Sequence, residues 1–77
     1  MSGLRNIPLR KYKKFLKSIG CKHTRTSGGH EHWTRSDVPR PITLQTHINP
    51  VPEFIIKIHL RQLNTTKDQF IKMIAKM

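Results

Sequence analysis

A pair of glycines in the first half of the chain constrains its fold more than any other feature. Gly28 and Gly29 separate two short stretches, 21–26 and 30–35, that have the alternation and β-branched content of strands. Glycine adopts positive φ without steric cost, so two in succession favour a tight reversal between antiparallel strands. The sequence therefore predicts a β-hairpin, with His30 at the first position of its second strand.

The remaining elements follow from hydrophobic periodicity and from helix start and stop signals. Gly20 stands where a left-handed residue commonly ends a helix, and Pro52 suits an early helical position. Thr66 and Gln69 have the spacing of a capping box. In chain order we predict a helix at 8–19, strands at 21–26, 30–35 and 41–46, and helices at 53–63 and 66–76.

This order predicts one α+β domain over residues 1–77, with a three-stranded antiparallel sheet and helices on one of its faces. The α-β-β-β-α order, with an extra short C-terminal helix, resembles a double-stranded-RNA-binding domain. Strand alternation puts His30 and His32 on one face and Trp33 on the other, where we expect Trp33 to join the core rather than stack on bases. Apolar residues surround most of the helix at 53–63, so we expect the last helix to cover its second side.

The charge balance indicates a polyanionic partner. The 77 residues include 15 Lys and Arg against 4 Asp and Glu, a net charge of +11. Nucleic acid is the first candidate and an anionic membrane the second, although the basic residues do not form one block. No apolar stretch approaches the ~20 residues of a membrane span, and the first residues lack the apolar run of a signal peptide, so we expect a cytoplasmic protein. The single cysteine, Cys21, excludes an internal disulfide and predicts a small buried apolar side chain.

His30 is the candidate catalytic residue. An imidazole can take up or release a proton near neutrality, and cations surround this one in the sequence. RNA carries its own nucleophile, the 2′-hydroxyl, so cleavage needs only a proton-transfer group and cations beside the phosphate. The expected RNA-binding residues are Lys22, Arg25, Gly28, Gly29, Arg35, Arg40, Lys57 and Arg61.

Four short motifs carry a family resemblance: Phe15-Leu16-Lys17-Ser18-Ile19-Gly20, Gly28-Gly29-His30 with Arg25 before it and Trp33 after it, Val38-Pro39-Arg40, and Ile58-His59-Leu60-Arg61-Gln62-Leu63. Together they resemble the HicA toxins of bacterial type II toxin–antitoxin modules. The resemblance implies a metal-independent ribonuclease that cleaves mRNA, needs no cofactor, uses His30 as its catalytic histidine and is blocked by a HicB antitoxin. Gly29 replaces the family's usual serine, His32 replaces an apolar residue, and the third helix is an addition.

Other functions remain open at this stage. A non-catalytic RNA-binding module would have the same fold and charge without needing His30. A zinc site built from His30, His32 and His47 is a further alternative, whereas His23 and His59 are expected to be ordinary surface or boundary residues. DNA binding is less favoured, because the helix at 53–63 is too apolar to be a recognition helix.

Overall fold

Six elements form the domain, and a computed structural model describes them over residues 3–77. They are α1 (Leu9–Ser18), β1 (Lys22–Ser27), β2 (His30–Thr34), β3 (Ile42–Gln45), α2 (Glu53–Gln62) and α3 (Lys67–Ala75). Each boundary lies within one residue of the range predicted from the sequence. The strands form an antiparallel sheet in the order β1-β2-β3, which confirms a small α+β domain with an open three-stranded sheet and three helices.

The predicted turns and caps are present. Gly28 and Gly29 have φ of 56° and 79°, the positive values that the hairpin turn requires. Gly20, at φ 91°, ends α1, and the N–H of Cys21 donates to the carbonyl of Leu16 at 2.9 Å. Thr66 and Gln69 form a reciprocal capping box at the start of α3. Local sequence signals therefore determine where these elements begin and end.

The core lies between the helices and one face of the sheet. Trp33, Ile42 and Leu44 are buried on that face, which confirms that Trp33 is a core residue. Phe70 of α3 packs edge-on against Phe15 of α1, with ring centroids 4.7 Å apart. Cys21 is also buried, as expected, and burial raises the pKa of its thiol.

The prediction that His59 is a surface or boundary residue is wrong. It is buried, and its Nδ1 lies 2.8 Å from the hydroxyl of Tyr12. Burial lowers the pKa of His59 to about 4, and a hydrogen bond to the backbone of Thr43 only partly opposes this shift. The imidazole is therefore neutral at pH 7, and it bridges α1 and α2 across 47 residues of sequence. Apolar periodicity could not reveal such a satisfied polar core residue.

The packing of α2 corrects a second expectation. Its side chains Phe54 and Ile58 are 64% and 51% exposed, although α3 was expected to cover the second side of this helix. The buried side chain of α3, Phe70, packs on Tyr12 and Phe15 of α1 instead. One side of α2 therefore stays open to solvent. None of the helices within residues 3–77 has the length and apolarity needed to cross a membrane.

Candidate nucleic-acid interface

One face of the sheet points away from the helices, and each of its residues within the described range 3–77 is exposed or half-buried. Antiparallel partners point to the same side, so the strand pairing identifies its members. We call it the open face; it consists of Lys22, Arg25, Ser27, His30, His32, Thr34, Thr43 and Gln45. His30 and His32 share this face, as strand alternation predicts.

A β-bulge in β1 puts two cations on the open face. In a regular strand, Lys22 and Arg25 would point to opposite sides because they are three residues apart. Here Lys22 pairs with Thr34 and Arg25 pairs with His32, and the register shifts between His23 and Arg25. The hydroxyl of Thr24, inside the bulge, donates to the carbonyl of His32 at 3.0 Å. The bulge therefore turns Lys22 and Arg25 toward the side that carries His30.

His30 is held by the turn that precedes it. Its Nδ1 lies 3.2 Å from the carbonyl oxygen of Gly28. A carbonyl only accepts hydrogen bonds, so Nδ1 donates, and the neutral ring then carries its free lone pair on Nε2. Within residues 3–77, Nε2 of His30 has no hydrogen-bond partner. The half-buried ring is therefore oriented with a proton-accepting nitrogen available.

Lys22, Arg25 and Arg40 are exposed and make no ion pair within the described part of the chain. Arg25 pairs with His32, so it lies about 7 Å along the sheet from His30 at ~3.3 Å per residue. Lys22 and Arg40 lie toward the other end of β2, since Lys22 pairs with Thr34 and Arg40 is in the loop that follows β2. Lys22 and Arg25 therefore share the open face with His30, and Arg40 lies in the loop beyond the far end of β2.

Arg35 is held within the fold, and its expected role in binding RNA stays a prediction. Its guanidinium makes four hydrogen bonds: two to the carboxylate of Asp37, and one each to the carbonyls of Ile19 and Leu63. The hydrogen bond from Arg35 lowers the pKa of Asp37. Because Ile19 follows α1 and Leu63 follows α2, Arg35 joins the ends of two helices. It is a structural residue.

Lys57 and Arg61 are not brought together with His30. They line a separate groove of about 520 Å³ beside the loop between α2 and α3. Lys57 also lies 3.6 Å from a carboxylate oxygen of Glu53, one helical turn earlier. We therefore leave both residues out of the site centred on His30.

Glu31 and Lys13 form an ion pair on the opposite side of the sheet. Lys13 Nζ lies 2.6 Å from one carboxylate oxygen of Glu31, and the indole N–H of Trp33 donates to the other at 3.2 Å. Partial burial pushes the pKa of Glu31 upward, but the hydrogen bonds and charge of these neighbours outweigh it and lower the pKa. Glu31 is therefore ionised at neutral pH and faces away from His30.

The zinc alternative has no geometric support. Among residues 3–77, no three His, Cys, Asp or Glu side chains come close enough to hold a metal ion. His30, His32 and His47 therefore do not form a ligand set, although His47 Nδ1 lies near the turn, 3.7 Å from where a Cβ on Gly29 would stand.

A cavity of about 370 Å³ adjoins His30 at the β3 edge of the sheet. Its wall includes Thr43 and Gln45 from β3 and the exposed ring of Phe54 from α2; the other lining residues are Leu9, Leu44, Ile48, Val51, Pro52 and Ile55. Sequence reasoning missed Phe54, because its helical spacing assigned it to the core. The abundance of apolar residues around α2 was the available signal, since a small domain has too little interior to bury them all.

Comparison of the chain with protein-family models, with curated proteins and with solved structures gives no match.

Proposed function

We propose that this protein is a HicA-type toxin, a cytoplasmic endoribonuclease that cleaves mRNA with His30 as general acid and base. One observation carries the proposal: a turn-held histidine shares the open face with Lys22 and Arg25, two exposed cations that make no ion pair within residues 3–77. The net charge of +11 supports a polyanionic substrate.

The chemistry requires only proton transfer and charge stabilisation. Nε2 of His30 takes the proton of an RNA 2′-hydroxyl, whose oxygen attacks the adjacent phosphorus. The bond from phosphorus to the 5′-oxygen breaks, and that oxygen takes a proton from the imidazolium or from water. The products are a 2′,3′-cyclic phosphate and a 5′-hydroxyl. The Gly28 carbonyl positions the ring, and Arg25 stabilises the phosphorane charge.

The same surface suits inhibition by an acidic HicB-type antitoxin. Lys22, Arg25 and Arg40 lack ion pairs within residues 3–77, so carboxylates of a partner would find free cations there. Such a partner would associate rapidly through charge complementarity and would exclude RNA from His30. Co-expression with the product of the adjacent gene tests this point: a tight complex that cleaves RNA as fast as the free protein would contradict it.

The proposal is tested by comparing His30→Ala with His32→Ala. Both side chains lie on the open face, ~6.6 Å apart along β2, and neither is fully buried. Purified proteins are mixed with labelled RNA, and cleavage and binding are measured on the same samples. We expect His30→Ala to lose about 10²- to 10⁴-fold in cleavage rate, the usual contribution of one acid–base group. His32→Ala should cleave within about threefold of wild type, and both variants should bind RNA as wild type does.

Two outcomes would overturn the proposal. Undiminished cleavage by folded His30→Ala would place the chemistry elsewhere. RNA binding by the wild type without any cleavage, across several RNA sequences, would instead indicate a non-catalytic RNA-binding module.

A further inference from the structure

The cavity beside His30 combines features that the cleavage chemistry alone does not use. It is lined mostly by apolar side chains, yet His30, Thr43 and Gln45 bring polar atoms to its wall. Its volume of about 370 Å³ lies within the range of about 300–1,000 Å³ typical of small-molecule sites. Neither Thr43 nor Gln45 makes a side-chain hydrogen bond within residues 3–77, so their hydroxyl and amide groups are available to a ligand.

Phe54 is the unusual residue of this wall. A phenylalanine is normally buried, but this ring is 64% exposed at the start of α2. The core is complete without it, because Ile56 and Leu60 supply the buried side of the helix. Single-stranded RNA-binding proteins stack bases on aromatic side chains, and Phe54 offers an exposed one in the wall of this cavity.

We propose that the cavity binds one nucleobase of single-stranded RNA, the base next to the cleaved phosphate, and that the ring of Phe54 stacks on it. This inference rests on the proposed function and assigns to the same site a base-binding pocket. His30 lines the cavity and also belongs to the open face, so a base in the cavity places its own phosphate beside His30. Thr43 and Gln45 then face the base edge, where a hydroxyl and an amide can donate and accept hydrogen bonds.

Charge decides in favour of a nucleobase over an apolar segment of a protein. The open face beside the cavity carries Arg25 and Lys22 without acidic partners within residues 3–77, and the chain has a net charge of +11. An RNA strand satisfies both surfaces together, with its phosphates on the cations and its base in the cavity. The base must be unpaired, because a base within a duplex cannot leave its stack without an energetic cost.

The inference is tested by RNA binding with Phe54→Ala, Phe54→Trp and the control Ile58→Ala. Ile58 is the other exposed large apolar residue of α2, at 51%, and it does not line the cavity. The probe is a short single-stranded RNA with a 2′-deoxy nucleotide at the cleaved position and fluorescent 2-aminopurine as the adjoining base. We expect Phe54→Ala to weaken binding by about 5- to 150-fold, the loss of one stacking contact. Phe54→Trp should retain affinity, and Ile58→Ala should stay within twofold.

Stacking also has its own spectroscopic signature. Wild type should quench 2-aminopurine on binding, and Phe54→Ala should not. Equal affinity and equal quenching by wild type and Phe54→Ala would overturn the inference, even if His30 cleaves RNA as proposed. Persistent cleavage by His30→Ala would instead refute the proposed function while leaving the stacking result intact. If Phe54→Ala weakens only the complex with the acidic partner, the cavity is a protein-docking site and the inference is wrong.

Discussion

Mild acid should destabilise the fold through His59. The pKa of this imidazole is about 4 in the folded protein, because it is buried, against ~6.5 in an unfolded chain. The unfolded state therefore binds more protons between these values, and stability falls as the pH falls through this window. Above about pH 7 the residue is neutral in both states, so its contribution is fully present there.

The size of the effect follows from the shift. A difference of about 2.5 pKa units corresponds to about 3 kcal/mol once the pH is below both values. Of this, about 2 kcal/mol is lost between about pH 7 and pH 5. The lowered pKa values of Glu31 and Asp37 act in the same direction, but only below about pH 5, where carboxylates protonate.

Urea denaturation followed by circular dichroism at pH 7, 6 and 5 measures this loss. His59→Gln is the matched control, because its amide can still accept from the Tyr12 hydroxyl but does not titrate. We expect the free energy of unfolding of wild type to fall by about 2 kcal/mol more than that of His59→Gln over this range. Equal pH dependence in the two proteins would show that His59 is not buried in its neutral form, and the assignment of this core contact would be wrong.

Three further predictions concern the sheet and its cations. Arg35→Ala should destabilise the protein by about 3 kcal/mol, because it removes hydrogen bonds to the carbonyls that end two helices. Arg40→Ala should change the free energy of unfolding by less than about 0.5 kcal/mol but weaken RNA binding. The reverse pattern in urea melts and RNA titrations would contradict these roles. A plot of the logarithm of RNA affinity against the logarithm of salt concentration should have a slope of about −2 if three phosphates are contacted, and Arg25→Ala should reduce the size of that slope by about 0.7. An unchanged slope in Arg25→Ala would show that this residue binds no phosphate. Gly29→Ser should lower the free energy of unfolding by about 1–2 kcal/mol, because φ at this position is 79° and a residue with a Cβ is strained there. Crowding is not the cause, since a Cβ would be 3.7 Å from its nearest neighbour. Unchanged stability in a thermal melt would refute the strain.

Local signals explain why the fold was predictable. The glycine pair at 28 and 29 and the capping residues Thr66 and Gln69 act within a few residues of chain, so their effect can be read from the sequence. The alternation of Ile42 and Leu44 likewise identified the buried face of β3. In each case the structure depends on neighbours along the chain.

The site was less predictable, because it depends on distant contacts. Arg35 donates to Leu63, 28 residues away, and Tyr12 meets His59 across 47 residues. The sequence near Thr24 does not predict a β-bulge, yet that bulge determines which side of the sheet Lys22 faces. The sequence shows which residues are cations but not which of them are exposed. Only the tertiary structure distinguishes the exposed Arg25 from Arg35, which hydrogen-bonds within the fold.

If RNA supplies the nucleophile and His30 moves its proton, as we propose, a single 2′-deoxy substitution in the substrate should block cleavage. Single-turnover cleavage by the wild type is measured on an RNA and on the same RNA with one 2′-deoxy nucleotide on the 5′ side of the cleaved bond. We predict equal binding of the two RNAs, a 2′,3′-cyclic phosphate product from the first, and no cleavage of the second at that bond. Cleavage of both RNAs at the same rate would mean that water attacks the phosphate, and the proposed role of His30 would be contradicted.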